Sequence, residues 1–265
     1  MTSTVTSSYA DVNGLRMYYE THGEPDGRPP VVLIHGAFSA TGTSWGALLA
    51  PLAATRQVIS VELQGHGHTA DVDRPLRMEQ LADDVAALLD ELDVQVADVW
   101  GYSMGGSVAL HVGLAHPEKV RKLVLQSSSI DNGGYHPGHL EAMDQLSPEL
   151  LHGSPFHEEY LRLSPHPEGF GTLAEKVRDL VRNTPDVPAS AIAAMGCPVL
   201  TVVGDSDIFR PEHAVEMFRA FGGGVNGDIV GLPESQLAVL PGTTHIGTSQ
   251  RADLLLTIVP AFLDA

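Results

Sequence analysis

Residues 100–106 read WGYSMGG, so Ser103 has one glycine two residues before it and another two residues after it. A β-prone apolar run at 94–100 leads into this segment, and a run of small residues at 107–115 leaves it. This strand–turn–helix pattern matches a nucleophile elbow, in which glycines let neighbouring backbone pass close to a strained turn and leave the serine hydroxyl exposed. The pattern predicts that Ser103 is a nucleophile. A small-residue turn kept for packing alone is the alternative.

Two later strand ends offer the partners that a serine nucleophile needs. The apolar run 198–203 is followed by Gly-Asp-Ser-Asp, which ends at Asp207, and the run 237–240 is followed by Pro-Gly-Thr-Thr-His, which ends at His245. A serine hydroxyl is a poor nucleophile at neutral pH, so it requires a base such as histidine, whose imidazole a buried carboxylate then orients. The chain order serine, acid, histidine is that of the α/β hydrolases and differs from the orders in other serine hydrolase folds.

The elements that must position these residues alternate between strands and helices. Apolar runs at 31–34, 57–63, 120–126 and 198–203 predict strands of a parallel sheet, and residues 78–92 carry the spacing of an amphipathic helix. Such alternation predicts right-handed βαβ units, and hence an α/β fold with a mainly parallel twisted sheet and helices on both faces. The carboxyl ends of its strands would bring the polar residues together at one edge.

The alternation stops between residues 131 and 190. This stretch is rich in Pro, Gly and His, contains short helical segments and has no clear buried strand. It predicts a mostly helical cap, or lid, inserted into a core formed by residues 1–130 and 191–265. A surface excursion with no part in binding is the alternative. Near the start of the core, Asn13 and Gly14 predict the tight turn of a β-hairpin.

Taken together, these motifs resemble those of the α/β-hydrolase-fold family, and in particular a serine carboxylesterase-like member with a cap. The resemblance extends over nearly the whole chain and is carried by residues 33–36, 65–67, 101–106, 204–207 with Pro211, and 241–245. It implies that Ser103 is the nucleophile, that His245 is the general base and then the general acid, and that Asp207 orients the imidazole. The family's acid usually stands last in a GxxD turn with a proline four residues later, which selects Asp207 over Asp205.

The same resemblance implies where the negative oxygen of a tetrahedral intermediate would bind. Its donors would be the backbone N–H groups of Ala37 and Met104, with Phe38 as the alternative to Ala37. Phe38, Tyr102 and Phe156 are candidates for lining the substrate pocket, and core packing explains these three side chains equally well.

No metal site and no cofactor are predicted. His66 and His68 stand two residues apart with no carboxylate or cysteine nearby, a weak metal signal that favours a structural loop. His111, on the helix after Ser103, is expected to pack on the helix face. The histidines of the predicted cap are scattered among prolines rather than at ligand spacing; they are His136, His139, His152, His157 and His166.

The charge and hydropathy of the chain restrict its partners. A formal net charge of −18 over 265 residues argues against binding to nucleic acid or to an anionic membrane, since both need clustered Lys and Arg. Residues 1–10 lack the basic and apolar regions of a secretory signal, and the longest apolar stretch, 254–263, is too short to span a bilayer. A cytoplasmic protein that acts on a small molecule is therefore expected, with its oligomeric state left open.

The predicted chemistry is hydrolysis of a small or medium carboxylic ester through an acyl-Ser103 intermediate, without a cofactor. Hydrolysis of lactones, thioesters or carbon–carbon bonds and cofactor-free perhydrolysis use the same triad, so these reactions stay open. A hydroxynitrile lyase would need a lysine in the pocket, for which Lys176 is the only candidate in the cap. A ligand sensor built on a slow hydrolase fold is the alternative from a different class.

Overall fold

A computed structural model describes residues 4–265 of the chain. The prediction that residues 1–10 hold no secretory signal falls partly on residues 1–3, which lie outside the described range. The sheet is formed, in chain order, by β1 (Val5–Val12), β2 (Leu15–His22), β3 (Val31–Ile34), β4 (Val58–Val61), β5 (Ala97–Tyr102), β6 (Val120–Gln126), β7 (Val199–Ser206) and β8 (Gln236–Thr244). These strands lie side by side in the order β1-β2-β4-β3-β5-β6-β7-β8. The β1–β2 and β2–β4 pairs are antiparallel and all later pairs are parallel, which confirms the predicted mainly parallel α/β sheet.

Helices cover both faces of this sheet, as predicted. They are α1 (Thr41–Ala53), α2 (Met78–Glu91), α3 (Met104–Ala115), α4 (His139–Asp144), α5 (Pro148–Leu151), α6 (Pro155–Leu163), α7 (Phe170–Asn183), α8 (Ala189–Ala194), α9 (Pro211–Ala220), α10 (Gly227–Val230), α11 (His245–Thr248) and α12 (Ala252–Asp264). Helices α2 and α3 contribute to the apolar core on one face, and α1 and α12 contribute to the core on the other. Within residues 4–265, no helix combines the length and the apolar character needed to cross a membrane.

Strand β3 shows why the sheet strands read as continuous apolar runs. Its side chains alternate, so that Val32 and Ile34 enter the core beside α2 and α3, while Val31 and Leu33 enter the core beside α1 and α12. All four residues are completely buried. Since burying one such side chain contributes about 1.5–3 kcal/mol, a strand covered on both faces cannot alternate with polar residues without a large loss.

Two local predictions near the ends of the sheet had different outcomes. The hairpin is confirmed, because Asn13 and Gly14 join β1 to β2 with positive φ angles of 49° and 79°. The prediction that the last strand ends at Leu240 is wrong, because β8 continues through Pro241 to Thr244. Strand β8 is at the edge of the sheet, and there a proline without an N–H donor removes no hydrogen bond that the sheet requires.

The chain between β6 and β7 folds into the helices α4 to α8, and it begins with a short 3₁₀ turn at Asn132–Gly134. Helix α8 crosses residue 190, which is the boundary expected from the sequence. Residues from α4 and from α7 face the carboxyl edge of the sheet, where they line one cavity together with residues that follow β3 and β5. The helical segment therefore lies over the predicted site.

The junction between β5 and α3 is crowded by backbone from three segments. A Cβ atom added at Gly101 would lie 2.0 Å from the carbonyl oxygen of Gly105, and one added at Gly105 would lie 2.1 Å from the carbonyl oxygen of Ile34. Real Cβ atoms do not approach backbone this closely. Both glycines are therefore required for close approach of the strand, the helix and the β3 loop.

Replacement of Gly101 by alanine is expected to lower the free energy of unfolding by at least about 2 kcal/mol, because the new methyl group has no space between rigid backbone segments. Gly46→Ala is the matched control, since Gly46 is exposed inside α1 with no atom within 4 Å of the added Cβ. The Gly46→Ala substitution should raise the free energy of unfolding by about 0.5–1 kcal/mol. Urea unfolding of both variants measures the difference, and equal stability of the two would contradict the crowding argument.

Candidate active site

Ser103 sits at the tip of the turn between β5 and α3, in a backbone conformation that L-residues rarely adopt. Its φ and ψ angles are 55° and −122°. Because Ser103 directly precedes the first turn of α3, its hydroxyl projects at the carboxyl edge of the sheet, where it lines the cavity. The local sequence thus forms the sharp strand-to-helix turn expected of a nucleophile elbow.

The structure brings Ser103 together with both of its predicted partners. The Oγ atom of Ser103 lies 2.9 Å from Nε2 of His245, and Nδ1 of His245 lies 2.7 Å from Oδ1 of Asp207. The Asp207 side chain is completely buried, whereas 15% of the His245 side chain is exposed. Since a carboxylate oxygen can only accept, Nδ1–H of the neutral ring donates to Asp207, which leaves Nε2 free to accept the Ser103 proton.

The Asp207 carboxylate is held ionised by the donors around it. Burial on its own would raise the pKa of Asp207, but hydrogen bonds from His245, Ser127 and the Phe209 N–H outweigh burial and hold this pKa below its ordinary value. Ser127 donates to Oδ2 at 2.7 Å and also lies 3.0 Å from Oγ1 of Thr248. An ionised carboxylate stabilises the imidazolium that forms when His245 takes a proton.

The sequence prediction did not include Ser127, although one signal for it was present. Ser127 begins a run of three serines directly after β6, at the same edge of the sheet as Ser103. It is completely buried and has a φ angle of 50°. A polar residue at the carboxyl end of a neighbouring parallel strand is therefore a candidate for supporting the acid.

Asp205, the alternative acid, forms no hydrogen bond with His245 in the described part of the chain. Its carboxylate is exposed and accepts hydrogen bonds from the backbone N–H groups of Gly242 at 2.8 Å and Thr243 at 3.1 Å. These two bonds lower the pKa of Asp205 and tie the end of β7 to the segment that carries His245. The geometry therefore places Asp207, and not Asp205, against the imidazole.

Three backbone N–H groups beside Ser103 are available to bind an oxygen. Within residues 4–265, the N–H groups of Ala37, Phe38 and Met104 donate to no protein acceptor, and all three residues line the cavity. Phe38 has a φ angle of 60°, so the loop is strained here as well. Ala37 and Met104 are the predicted pair, and Phe38 stays the alternative to Ala37.

Buried His35 holds the loop that carries Ala37. Its Nδ1–H donates to the carbonyl oxygen of Gly36 at 2.8 Å, and its Nε2 accepts the Leu63 N–H at 3.0 Å. Burial lowers the pKa of His35, so the ring is neutral, as this pair of hydrogen bonds requires. His35 thereby joins the loop after β3 to the segment after β4.

The cavity in front of Ser103 is large and mostly apolar. It has a volume of about 510 Å³. The three predicted pocket residues Phe38, Tyr102 and Phe156 all line it, and the Tyr102 hydroxyl donates to the backbone carbonyl of His245 at 3.2 Å. No sequence motif marks the other apolar lining residues, which include Met78, Met143, Leu146, Leu151, Val177, Val181, Ile208, Phe209 and Ile246.

The other histidines considered as metal ligands, His66, His68 and those of the cap, have different neighbours. The Nδ1–H of His66 donates to the Gln64 carbonyl oxygen at 2.9 Å, and burial lowers the pKa of His66 to about 3. The expectation of no carboxylate nearby is wrong for His68, because its Nδ1 lies 2.9 Å from the buried carboxylate of Glu62. Of the five cap histidines, His139 lines the cavity. Within the described range, no group of three or more His, Cys, Asp and Glu residues is placed to hold a metal ion.

Lys176 is engaged away from the cavity. Its Nζ atom donates to both carboxylate oxygens of Asp71, at 2.9 and 2.7 Å, and to the carbonyl oxygen of Val72 at 2.8 Å. Lys176 does not line the cavity in the part of the chain that the structure covers. The lysine that a hydroxynitrile lyase would need is therefore not at the site.

Comparison with known proteins gives the same family. The sequence model for the alpha/beta hydrolase fold matches residues 29–153. The chain is 32% identical to the pimeloyl-[acyl-carrier protein] methyl ester esterase of Neisseria meningitidis serogroup C, over 94% of this chain and 99% of that protein. It is also 32% identical to the dihydrolipoyllysine-residue acetyltransferase component of the acetoin cleaving system of Pseudomonas putida, over 96% of this chain and 68% of that protein.

A solved structure extends the likeness to the fold. The enol-lactonase of Burkholderia xenovorans LB400 superposes with a TM-score of 0.71, at 20% sequence identity, over 97% of this chain and 100% of that one. The sequence relatives and the similarity in fold both extend over nearly the full length of the chain. The chain belongs to the α/β-hydrolase family and is a hydrolase of that fold.

Proposed function

We propose that this hydrolase cleaves small or medium, uncharged carboxylic esters through an acyl intermediate on Ser103. The observation that carries the proposal is the hydrogen-bond chain from Ser103 through His245 to buried Asp207, which opens on an apolar cavity. The meningococcal relative, whose name describes a methyl ester esterase, supports an ester as the reacting group.

In the first half of the reaction, Nε2 of His245 takes the proton of Ser103 as Oγ attacks the ester carbonyl carbon. The carbonyl oxygen becomes negative in the tetrahedral intermediate and binds to the N–H groups of Met104 and Ala37. One such donor is worth roughly 3–4 kcal/mol of transition-state stabilisation. When the intermediate collapses, the imidazolium returns its proton to the leaving alkoxide, and an alcohol departs.

In the second half, water replaces the alcohol. His245 accepts a proton from this water, which attacks the carbonyl carbon of the acyl-serine. The C–Oγ bond then breaks, and the proton passes from His245 to Ser103 as the carboxylic acid leaves. Asp207 stays ionised throughout, which is consistent with its lowered pKa.

The lining of the cavity supports an uncharged substrate. Among the described residues, no Lys or Arg lines it, so a carboxylate on the substrate would lose its hydration without gaining a cationic partner. The net charge of −18 also disfavours the approach of anions. Both observations favour neutral esters over substrates that carry free carboxylates.

Ser103→Ala is expected to lower the turnover of p-nitrophenyl esters by at least about 10⁴-fold, because no other group can form the acyl intermediate. The variant should also lose labelling by a fluorophosphonate and keep the melting temperature of the wild type. Ser8→Ala, an exposed serine on β1, is the matched control and should behave as the wild type does. Labelling of the wild type without turnover would favour the sensor alternative, and turnover retained by Ser103→Ala would rule out the proposed nucleophile.

Asp207→Asn and Asp205→Asn form a second matched pair. Asp207→Asn should lower kcat by about 10⁴-fold, since the amide cannot stabilise the imidazolium and favours the wrong ring tautomer. Asp205→Asn keeps an oxygen acceptor for only one of the Gly242 and Thr243 amides. Because neither bond involves the imidazole of His245, a loss of less than about tenfold is expected. Steady-state kinetics with one ester compare the two, and the reverse ranking would transfer the role of the acid to Asp205.

A further inference from the structure

A small polar side pocket adjoins the apolar cavity along helix α3. It has a volume of about 40 Å³, and it shares four lining residues with the main cavity, namely Met78, Ser107, Tyr135 and Val181. Its polar walls are formed by Ser107, His111, Ser129, Asp131, Asn132 and Thr184. We propose that this side pocket binds a hydroxyl group on the acyl chain of the substrate, an inference that rests on the proposed esterase function.

The two polar residues of α3 lead from the nucleophile to this pocket. Helix α3 reads MGGSVALHVGLA, and Ser107 and His111 are its only polar side chains. They are four residues apart, so they share one face of the helix. Ser107 lines the main cavity together with Ser103, and both Ser107 and His111 line the side pocket. The four-residue interval advances about 6 Å along the helix axis, so His111 lies about one turn farther from Ser103 than Ser107 does.

His111 presents a hydrogen-bond acceptor to a ligand. Its Nδ1 lies 2.8 Å from the carbonyl oxygen of Ser107, and a carbonyl can only accept, so Nδ1 carries the proton and the neutral ring has an unprotonated Nε2. The residue is 8% exposed, and no described residue forms a hydrogen bond to Nε2. The position of His111 on the helix thus gives Nδ1 a hydrogen-bond partner within α3, whereas Nε2 has none among the described residues.

Ser107 supplies the complementary donor. Its Oγ lies 3.1 Å from Oγ of Ser128, and either hydroxyl can donate in that pair. When Ser128 donates, the Ser107 proton is free to turn toward a ligand. A ligand hydroxyl can therefore donate to His111 and accept from Ser107, which an alkyl group cannot do.

The size and charge of the side pocket favour a hydroxyl group over a charged group. A space of about 40 Å³ exceeds the roughly 10–15 Å³ that a cavity needs to hold one water, so a hydroxyl group fits. Asp131 repels a carboxylate, and any charged group would first cross the apolar cavity at a large desolvation cost.

The position of His245 decides which side of the ester carries the hydroxyl. His245 returns its proton to the leaving alcohol, so the alcohol must lie beside the imidazole. The side pocket contains no residue from the segments that carry Asp207 and His245, and it lies along α3 instead. The acyl chain, which stays attached to Ser103, is therefore the part that extends toward Ser107 and His111.

The test compares kcat/KM for p-nitrophenyl hexanoate and p-nitrophenyl ω-hydroxyhexanoate, expressed as the ratio of the hydroxylated ester to the plain ester. His111→Leu should lower this ratio by about five- to tenfold, the effect of one lost hydrogen bond to a buried group. His111→Gln keeps an oxygen acceptor and should restore part of the ratio, and Ser107→Ala should lower it. His116→Leu, at the end of the same helix and paired with Asp83, is the control and should leave the ratio unchanged.

A ratio that is equal in the wild type, His111→Leu and Ser107→Ala would overturn the side-pocket assignment while leaving the esterase proposal intact. If His111→Leu does not fold, the ratio in Ser107→Ala decides the question by itself. An enzyme that hydrolyses neither ester would overturn the esterase proposal, and this inference with it.

Discussion

The backbone strain at Ser103 is the constraint on which the site depends. A non-glycine residue with a φ angle of 55° costs about 1–3 kcal/mol and persists only where its surroundings leave no alternative. Here β5 is paired on both sides, α3 begins at the next residue, and Gly101 and Gly105 let the two elements approach. The stable sheet thereby holds the hydroxyl at the one edge where His245 can reach it.

The loop between β7 and α9, residues 207–210, connects this rigid core to the cap. The segment after Asp207 forms backbone hydrogen bonds with the start of the cap, from the His136 N–H to the Ile208 carbonyl at 3.0 Å and from the Arg210 N–H to the Gly134 carbonyl at 2.8 Å. Asp207 is thus fixed by Ser127 on the core side and by a loop that is itself bound to the cap. The orientation of His245 therefore depends on both parts of the chain.

The fold and the arrangement of Ser103, His245 and Asp207 could be predicted because both follow from local patterns at strand ends. The partners of Asp207 were less visible, since a serine after a strand, such as Ser127, is common in turns without function. The true end of β8 was hidden because Pro241 and Gly242 are typical turn residues, and only the edge position of this strand tolerates them. The cap side of the cavity could not be predicted, because short helices acquire their positions from long-range packing rather than from periodicity.

Trapping the covalent intermediate would test directly whether Ser103 carries the acyl group. The enzyme would be mixed with p-nitrophenyl hexanoate, quenched with acid within milliseconds and examined by intact mass and peptide mapping. We expect a species heavier by one hexanoyl group, attached to Ser103, that disappears once the ester is consumed. Hydrolysis with no acylated species at any quench time, or with the acyl group on another residue, would contradict this expectation.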